Sequence, residues 1–214
     1  PVIALQAMTE GGVDAPATEQ DVSDLIDMTR EALGGDYARS TTVVWPENSI
    51  PESAQQRVAD AAAELRVNIV YHTTEHDGEG VYKKTVVVDG STGEAVLANY
   101  KQHIAPDEEL GVSRASRSIV ELGDQHVTAY ICYDMHYPDV VDRLSGSDVA
   151  YVPLNDAAYG YLQKQFHAAD IALHAAQADT AVVVASTNGP TMIVNSNGVV
   201  THSLSTSDAG HVRN

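Results

Sequence analysis

Thr42-Val43-Val44-Trp45-Pro46-Glu47 is a short apolar run stopped by a proline and closed by an acid. β-Branched residues suit a buried extended backbone, and proline cannot donate to a ladder, so the run reads as an interior strand ending at Trp45. Upstream of it, Val22, Leu25, Ile26 and Leu33 recur at helical spacing over 19–33, and Val2-Ile3-Ala4-Leu5-Gln6 reads as another buried strand. Downstream, Ala54, Val58, Ala61 and Leu65 share one face of a helix over 52–66, and Asn68-Ile69-Val70-Tyr71 forms a third strand. Strand–helix–strand–helix–strand is the order of crossover units whose helices cover a sheet, so the fold class is α/β.

Further along, the pattern changes to hairpins. Residues 81–88 and 95–99 flank Asp89-Gly90-Ser91-Thr92-Gly93, and 118–122 pairs with 126–132 around Gly123-Asp124. Residues 72–80 read as the most loop-like stretch, a hairpin entry and mobile rim. Crossover alternation then resumes with a strand over 148–153, a helix over 161–177 and a strand over 180–186. That helix takes Leu162, Phe166, Ala169, Leu173 and Ala176 as its apolar stripe. Met192-Ile193-Val194 and Val199-Val200 pair around Asn195-Ser196-Asn197-Gly198, where Asn-Gly is a strong hairpin signal. The mixture fits crossover and hairpin units within one domain, residues 1–214, with no repeat and no linker.

Composition excludes several function classes. The chain has 214 residues, 43% of them hydrophobic, enough for a sizeable core. No run of about 18 apolar residues is present, so no membrane span is expected, and no signal peptide is visible. The chain begins at Pro1 and ends on the apparent start of a strand at His211-Val212-Arg213-Asn214, so both ends read as cut, the C-terminal end above all. A formal net charge of -18 disfavours nucleic acid and anionic lipid as partners. Lysine occurs only at 83, 84, 101 and 164. The single cysteine, Cys132, rules out an internal disulfide and a cysteine-rich metal site. No P-loop, dinucleotide fingerprint, nucleophile-elbow serine or HExxH pattern occurs, and neither a metal nor a cofactor is called for.

Three polar residues each close an apolar strand: Glu47 after Val43-Val44-Trp45-Pro46, Lys101 after Val96-Leu97-Ala98-Asn99-Tyr100, and Cys132 after Val127-Thr128-Ala129-Tyr130-Ile131. Strand ends are where sites assemble in α/β sheets. Singly, each has a structural explanation: a capping carboxylate, a solvated strand-end charge, a small buried hydrophobe. Together they supply a nucleophile, a base and a cation. A thiol with an ordinary pKa of about 8.5 needs activation. A carboxylate takes the proton during attack, and an ammonium stabilises the oxyanion that forms. The backbone N–H of Tyr133 is a second candidate oxyanion donor. Asn155 and Trp45 are candidate pocket residues, with strand-end capping and core packing as their alternatives. His103 and His136 leave a Cys-His pair open.

The surroundings of these residues resemble a known family. Val44-Trp45-Pro46-Glu47-Asn48-Ser49-Ile50-Pro51 resembles the base motif of the nitrilase, or carbon–nitrogen hydrolase, superfamily, in the Trp-Pro-Glu form of apolipoprotein N-acyltransferases. The stretch from Tyr100-Lys101-Gln102-His103 to Glu109 resembles its lysine motif, and Ile131-Cys132-Tyr133-Asp134-Met135-His136-Tyr137-Pro138 its cysteine elbow. Pro153-Leu154-Asn155-Asp156-Ala157 and Ala185-Ser186-Thr187-Asn188-Gly189 are similar to the acyltransferase branch. The likeness runs from Ile3 to about Val200, with the three motifs in the family's order.

The resemblance implies a four-layer α-β-β-α sandwich and a Glu47, Lys101, Cys132 triad. It also implies a second functional glutamate, at Glu109 by spacing, with Glu108 the alternative. It implies a thioester on Cys132 formed from a small-molecule amide or acyl donor. Water as the acceptor makes the chain an amide hydrolase; an amine makes it an N-acyltransferase; a catalytically silent binding module is the remaining alternative. A stand-alone hydrolase would be cytoplasmic, whereas a piece of an acyltransferase would face the extracytoplasmic side. Family members often pair as homodimers.

Overall fold

The computed structural model describes residues 1–7, 16–35, 41–106, 108, 114, 116, 118–204 and 209–214. The N-terminal half builds one sheet from β1 (Val2–Gln6), β2 (Thr42–Val44), β3 (Asn68–His76), β4 (Val81–Val88) and β5 (Ala95–Tyr100). Helices α1 (Glu19–Leu33) and α2 (Gln55–Leu65) are the crossovers that make β1, β2 and β3 parallel. The second sheet comes from β6 (Val120–Leu122), β7 (Gln125–Ala129), β8 (Val149–Asn155), β9 (Ala181–Thr187), β10 (Met192–Val194) and β11 (Val200–Ser203). Its crossovers are α3 (Val140–Leu144) and α4 (Tyr161–Ala178). The last strand, β12 (Gly210–Arg213), returns to the first sheet, antiparallel to β1. The orders are β12-β1-β2-β3-β4-β5 and β11-β10-β9-β8-β7-β6.

Three apolar cores separate four layers. One lies between the first sheet and α1 and α2, around Ile3, Val43, Trp45 and Ile69. A second lies between the other sheet and α3 and α4, around Val152, Ile171 and Val184. The third, with Val44, Val70, Val87, Tyr151 and Val183, fills the space between the two sheets. Strands covered on both faces read as continuous apolar runs, as Val182 to Ala185 do. The architecture is the expected α-β-β-α sandwich.

Local chemistry explains the helix ends. The Thr18 hydroxyl accepts the Asp21 N–H at 3.3 Å while the Asp21 carboxylate accepts the Thr18 N–H at 2.6 Å, a capping box that starts α1. Gly34, at φ +62°, stops it in the left-handed conformation. In the 89–94 turn Gly90 is required by close approach: a Cβ there would lie 2.3 Å from the Val67 carbonyl oxygen.

The structure corrects the sequence reading in four places. Residues 72–76 are not a loop; β3 runs on to His76, pairing Thr73 with Lys84 and Glu75 with Tyr82. The helix expected over 52–66 begins as a 3₁₀ turn, Glu52–Ala54. The strand expected to reach Cys132 ends at Ala129, and Cys132 opens a second 3₁₀ turn, Cys132–His136. Helix α4 occupies its predicted span but buries the other face. Leu162, Phe166 and Leu173 are 70%, 63% and 54% exposed, whereas His167, Ile171, His174, Ala175 and Ala178 face the sheet. The larger side chains make the more conspicuous stripe, but alanines let α4 approach its sheet, and its histidines are buried there.

Candidate active site

Two antiparallel steps give β5 the direction of β3, so Glu47 and Lys101 follow strand ends on the same edge of the first sheet. The sheets are aligned, because the residue after β1, Ala7, bridges Thr187 of β9 in parallel. The C-terminal ends of β7 and β8 therefore come to the same edge, bringing Cys132 and Asn155 with them. The Glu47 N–H donates across the junction to the Leu154 carbonyl at 3.3 Å.

At that edge Glu47, Glu108, Cys132 and Asn155 line one small cavity of about 20 Å³, closed by Asn48, Ala105, Ala158 and Tyr159. Lys101 is 1% exposed. Its ammonium donates to Glu47 Oε1 at 3.3 Å and to Glu108 Oε1 at 2.5 Å. Glu108 accepts a second ammonium, that of Lys83, at 2.8 Å, and its other oxygen takes the Ala105 N–H at 2.8 Å. Two carboxylates and two ammoniums thus alternate, Glu47, Lys101, Glu108 and Lys83, so each group has one of opposite charge type beside it.

The electrostatics follow from that arrangement. Burial pushes the Lys101 ammonium toward losing its proton. The charges of Glu47, a Cys132 thiolate and Glu108 outweigh it, and Lys101 holds its proton more firmly than an exposed lysine. Burial likewise opposes ionisation of Glu108, but Lys101 and Lys83 overcome it and hold that carboxyl below the usual range. For Cys132, burial and then the Glu47 charge push the thiol well up, with Lys101 pulling the other way. The resting thiol is therefore protonated, and a base must take its proton as it attacks.

Cys132 sits at φ +39°, a left-handed conformation that costs an L-residue about 1–2 kcal/mol. Its thiol points at the Asn155 carbonyl, 3.9 Å away. Two residues on, Asp134 Oδ1 accepts the N–H groups of Gln102 and His103 at 3.0 and 2.8 Å, tying the cysteine turn to the lysine loop. Burial raises the Asp134 carboxyl to about 6 against those bonds. Below the turn, His167 lies between the Cys132 carbonyl and the Asp156 carboxylate, at 3.0 and 3.1 Å.

Not every site residue expected from the sequence reaches the cavity. Asn155 lines it, and its side chain also caps the Ala157 N–H at 3.0 Å, so both readings of that residue describe it. Tyr133 is half-buried, its ring edge-on to His136 and Tyr137. Trp45 is corrected: it is fully buried in the outer core, its indole N–H bonded to Thr29 at 3.0 Å, and it does not line the cavity at Cys132. Glu109 lies outside the described residues; Glu108 is the glutamate described beside Lys101. His103 pairs with Asp139 and stacks on Tyr137, and His136 pairs with Asp170. Neither bonds to Cys132.

The sequence reading missed Lys83, Asp134, Asp156 and His167. Asp134 and Asp156 fell inside quoted motifs, and His167 stands four residues before Ile171, a large apolar residue left off the predicted stripe. No spacing rule marks Lys83. Among the described residues, Cys132, Asp156 and His167 offer thiol, carboxylate and imidazole atoms within 4.8 Å of one another. Both ring nitrogens of His167 already have partners, so a cation would have to displace existing bonds.

A buried thiol, a carboxylate and an ammonium thus meet at the edge of two face-to-face sheets. Residues 7–211 match the family model described as carbon-nitrogen hydrolase, and the chain belongs to that family. Among curated proteins it is 27% identical to an apolipoprotein N-acyltransferase of Allorhizobium ampelinum, over 81% of this chain and 39% of the relative. It is 28% identical to that of Rhizobium meliloti, over 83% and 40%. The chain thus spans about two-fifths of the length of these relatives. Among solved structures, one is a mutant amidase from Nesterenkonia sp. AN1 with a covalent acetamide adduct at its active-site cysteine. It superposes with a TM-score of 0.82 at 14% identity, over 98% of this chain and 87% of that one. Nit3 of Saccharomyces cerevisiae, a nitrilase-superfamily member, superposes with a TM-score of 0.80 at 14% identity, over 98% and 87%. No helix among the described residues is long and apolar enough to cross a membrane.

Proposed function

We propose that the chain cleaves an amide-type carbon–nitrogen bond through a thioester on Cys132. The observation that carries this reading is the shared cavity of Glu47, Glu108 and Cys132, with the Lys101 ammonium bonded to both carboxylates. Glu47 takes the Sγ proton as sulfur bonds to the carbonyl carbon. Lys101 stabilises the oxyanion, with the Tyr133 N–H as second donor. The tetrahedral species collapses as Glu47 returns the proton to the leaving nitrogen, and the C–N bond breaks. Water, deprotonated by Glu47, then attacks the thioester; the carbonyl–sulfur bond breaks, releasing acid and thiol. Glu108 anchors Lys101 and is the second functional glutamate. A cavity this small suits a short acyl group at the thiol.

The second reading is N-acyl transfer, in which an amine replaces water. It draws on the two acyltransferase relatives. Intact-protein mass spectrometry after incubation with amide, ester and phospholipid panels separates the two. A mass gain identifies the acyl group, and its decay without amine marks a hydrolase. Cys132→Ala is expected to show no adduct; the same adduct on that variant ends the nucleophile assignment. If the intact chain never acylates, the binding-module reading stands. A small-molecule donor, action in the cytoplasm for a hydrolase and action at the extracytoplasmic face of the membrane for a transferase belong to these proposals. Pairing of two copies belongs with them.

A further inference from the structure

His167 is completely buried on the inner face of α4, directly under the nucleophile turn. Its Nε2 is 3.0 Å from the Cys132 carbonyl oxygen and its Nδ1 is 3.1 Å from Asp156 Oδ1. A carbonyl only accepts, so Nε2 carries a hydrogen. A neutral imidazole has one N–H, and an ionised carboxylate also only accepts. The Nδ1–Oδ1 bond therefore needs a second proton, on the ring as imidazolium beside carboxylate, or on Asp156 as a carboxylic acid donating to Nδ1. Either arrangement gives a pair of zero net charge, which is the form a fully buried site tolerates.

The ring is fixed from several sides. It stacks on His136 with centroids 4.0 Å apart, and His136 is bonded to Asp170 of the same helix at 2.7 Å. Asp156 follows Asn155, whose carbonyl faces the Cys132 thiol. Asp156 is itself held by the loop after β9, where a Cβ on Gly189 would come within 2.9 Å of Asp156 Cβ. Glu47 lines the same cavity as Cys132, and Lys101 is bonded to Glu47.

We propose that His167, oriented by Asp156, is a positioning residue that clamps the Cys132 carbonyl and so holds the nucleophile in its left-handed conformation, with the thiol aimed into the cavity. A left-handed cysteine relaxes when its carbonyl is released, and relaxation swings Sγ away from the reacting carbon. Displacement of a nucleophile by about 1 Å is enough to cost roughly 100-fold in rate. The proposal rests on Cys132 being the nucleophile, and its test has an arm that needs no substrate.

Two variants separate the bond from the packing. His167→Phe keeps a ring of similar volume and loses both hydrogen bonds. His167→Gln loses the ring and keeps an N–H donor for the Cys132 carbonyl. With the amide found by mass spectrometry, His167→Phe is expected to lower kcat roughly 100-fold while KM moves less than about 3-fold. His167→Gln is expected to recover at least about 10-fold of that loss. Asp156→Asn, whose side-chain amide donates to the lone pair on Nδ1 of a neutral ring that keeps its Nε2–H on the Cys132 carbonyl, is expected to fall between wild type and Phe. Equal kcat in the Phe variant and wild type, or equal loss in Phe and Gln, overturns the clamp.

Iodoacetamide alkylation of Cys132, the chain's only cysteine, is the substrate-free arm. Its rate-against-pH profile is expected to shift in His167→Phe and return toward wild type in His167→Gln. Identical profiles in all three proteins overturn the clamp whatever the substrate. If the Phe variant does not fold, wild type, His167→Gln and Asp156→Asn decide: an Asn variant with unchanged kcat and profile refutes the role of Asp156. Absence of any turnover in wild type sinks the catalytic reading and leaves the alkylation arm to judge the clamp alone.

Discussion

Glu47 has opposed effects on Cys132. Its charge helps hold the thiol protonated, yet it is the group placed to take the proton during attack. Glu47→Gln is therefore expected to alkylate faster with iodoacetamide at pH 8 than wild type, while acylation by amide falls about 10²–10⁴-fold. Loss of both reactivities together would point to a collapsed site rather than a missing base. Asp134 carries a second prediction. Its carboxyl is raised from 3.8 to about 6 in the folded chain, so between those values the unfolded chain releases a proton that the folded chain keeps. Stability from this group is present below pH 3.8 and is lost as pH rises toward and through 6. The full difference is about 2–3 kcal/mol. Asp134→Asn removes that slope, and urea melts at pH 4.5 and 7.5 are expected to show wild type losing stability relative to the variant. Parallel pH dependence in the two proteins would contradict the burial of Asp134. Glu47, Lys101 and Cys132 were legible in the sequence because each closes an apolar run and each sits in a recognisable motif. Lys83, Asp134, Asp156 and His167 were not singled out, because their partners stand far off in the chain: 25 residues for Lys83 and Glu108, 35 for His167 and Cys132.

At the scale of elements, α4 is the instructive case. Its span was readable from the sequence, and its orientation was not. It carries apolar residues on more than one face, and which face turns inward depends on where the sheet lies. Phe166→Asp is expected to change unfolding free energy by no more than about 0.5 kcal/mol, since Phe166 is 63% exposed. Ile171→Ala is expected to cost about 2–5 kcal/mol, since Ile171 is fully buried in the outer core. Chemical denaturation of the two variants checks both. The predicted stripe would require the opposite order, because it put Phe166 in the core and left Ile171 out. The extension of β3 through His72, Thr73 and Thr74 has a related origin. A polar run looks like a loop until β4 pairs with it, residue for residue, as far as His76.

For the whole molecule, charge is the dominant surface property. Thirty acidic residues against twelve basic ones leave the folded chain repelling itself. Raising sodium chloride from 0.05 to 0.5 M shortens the screening length from roughly 14 to 4 Å and is expected to raise the melting temperature. Scanning fluorimetry reads this directly, and a fall in Tm would show that specific surface ion pairs outweigh the net repulsion. The sequence alone determined the alternation of strands and crossover helices, the hairpin turns and the three motif residues. Those rest on periodicity, turn chemistry and local order along the chain. Only the tertiary structure decided which face of α4 is buried, that Trp45 belongs to the core, and that Glu108 anchors Lys101. Burial and pairing are properties of neighbours in space, and two sheets packed face to face make neighbours of residues that no window along the chain can hold together.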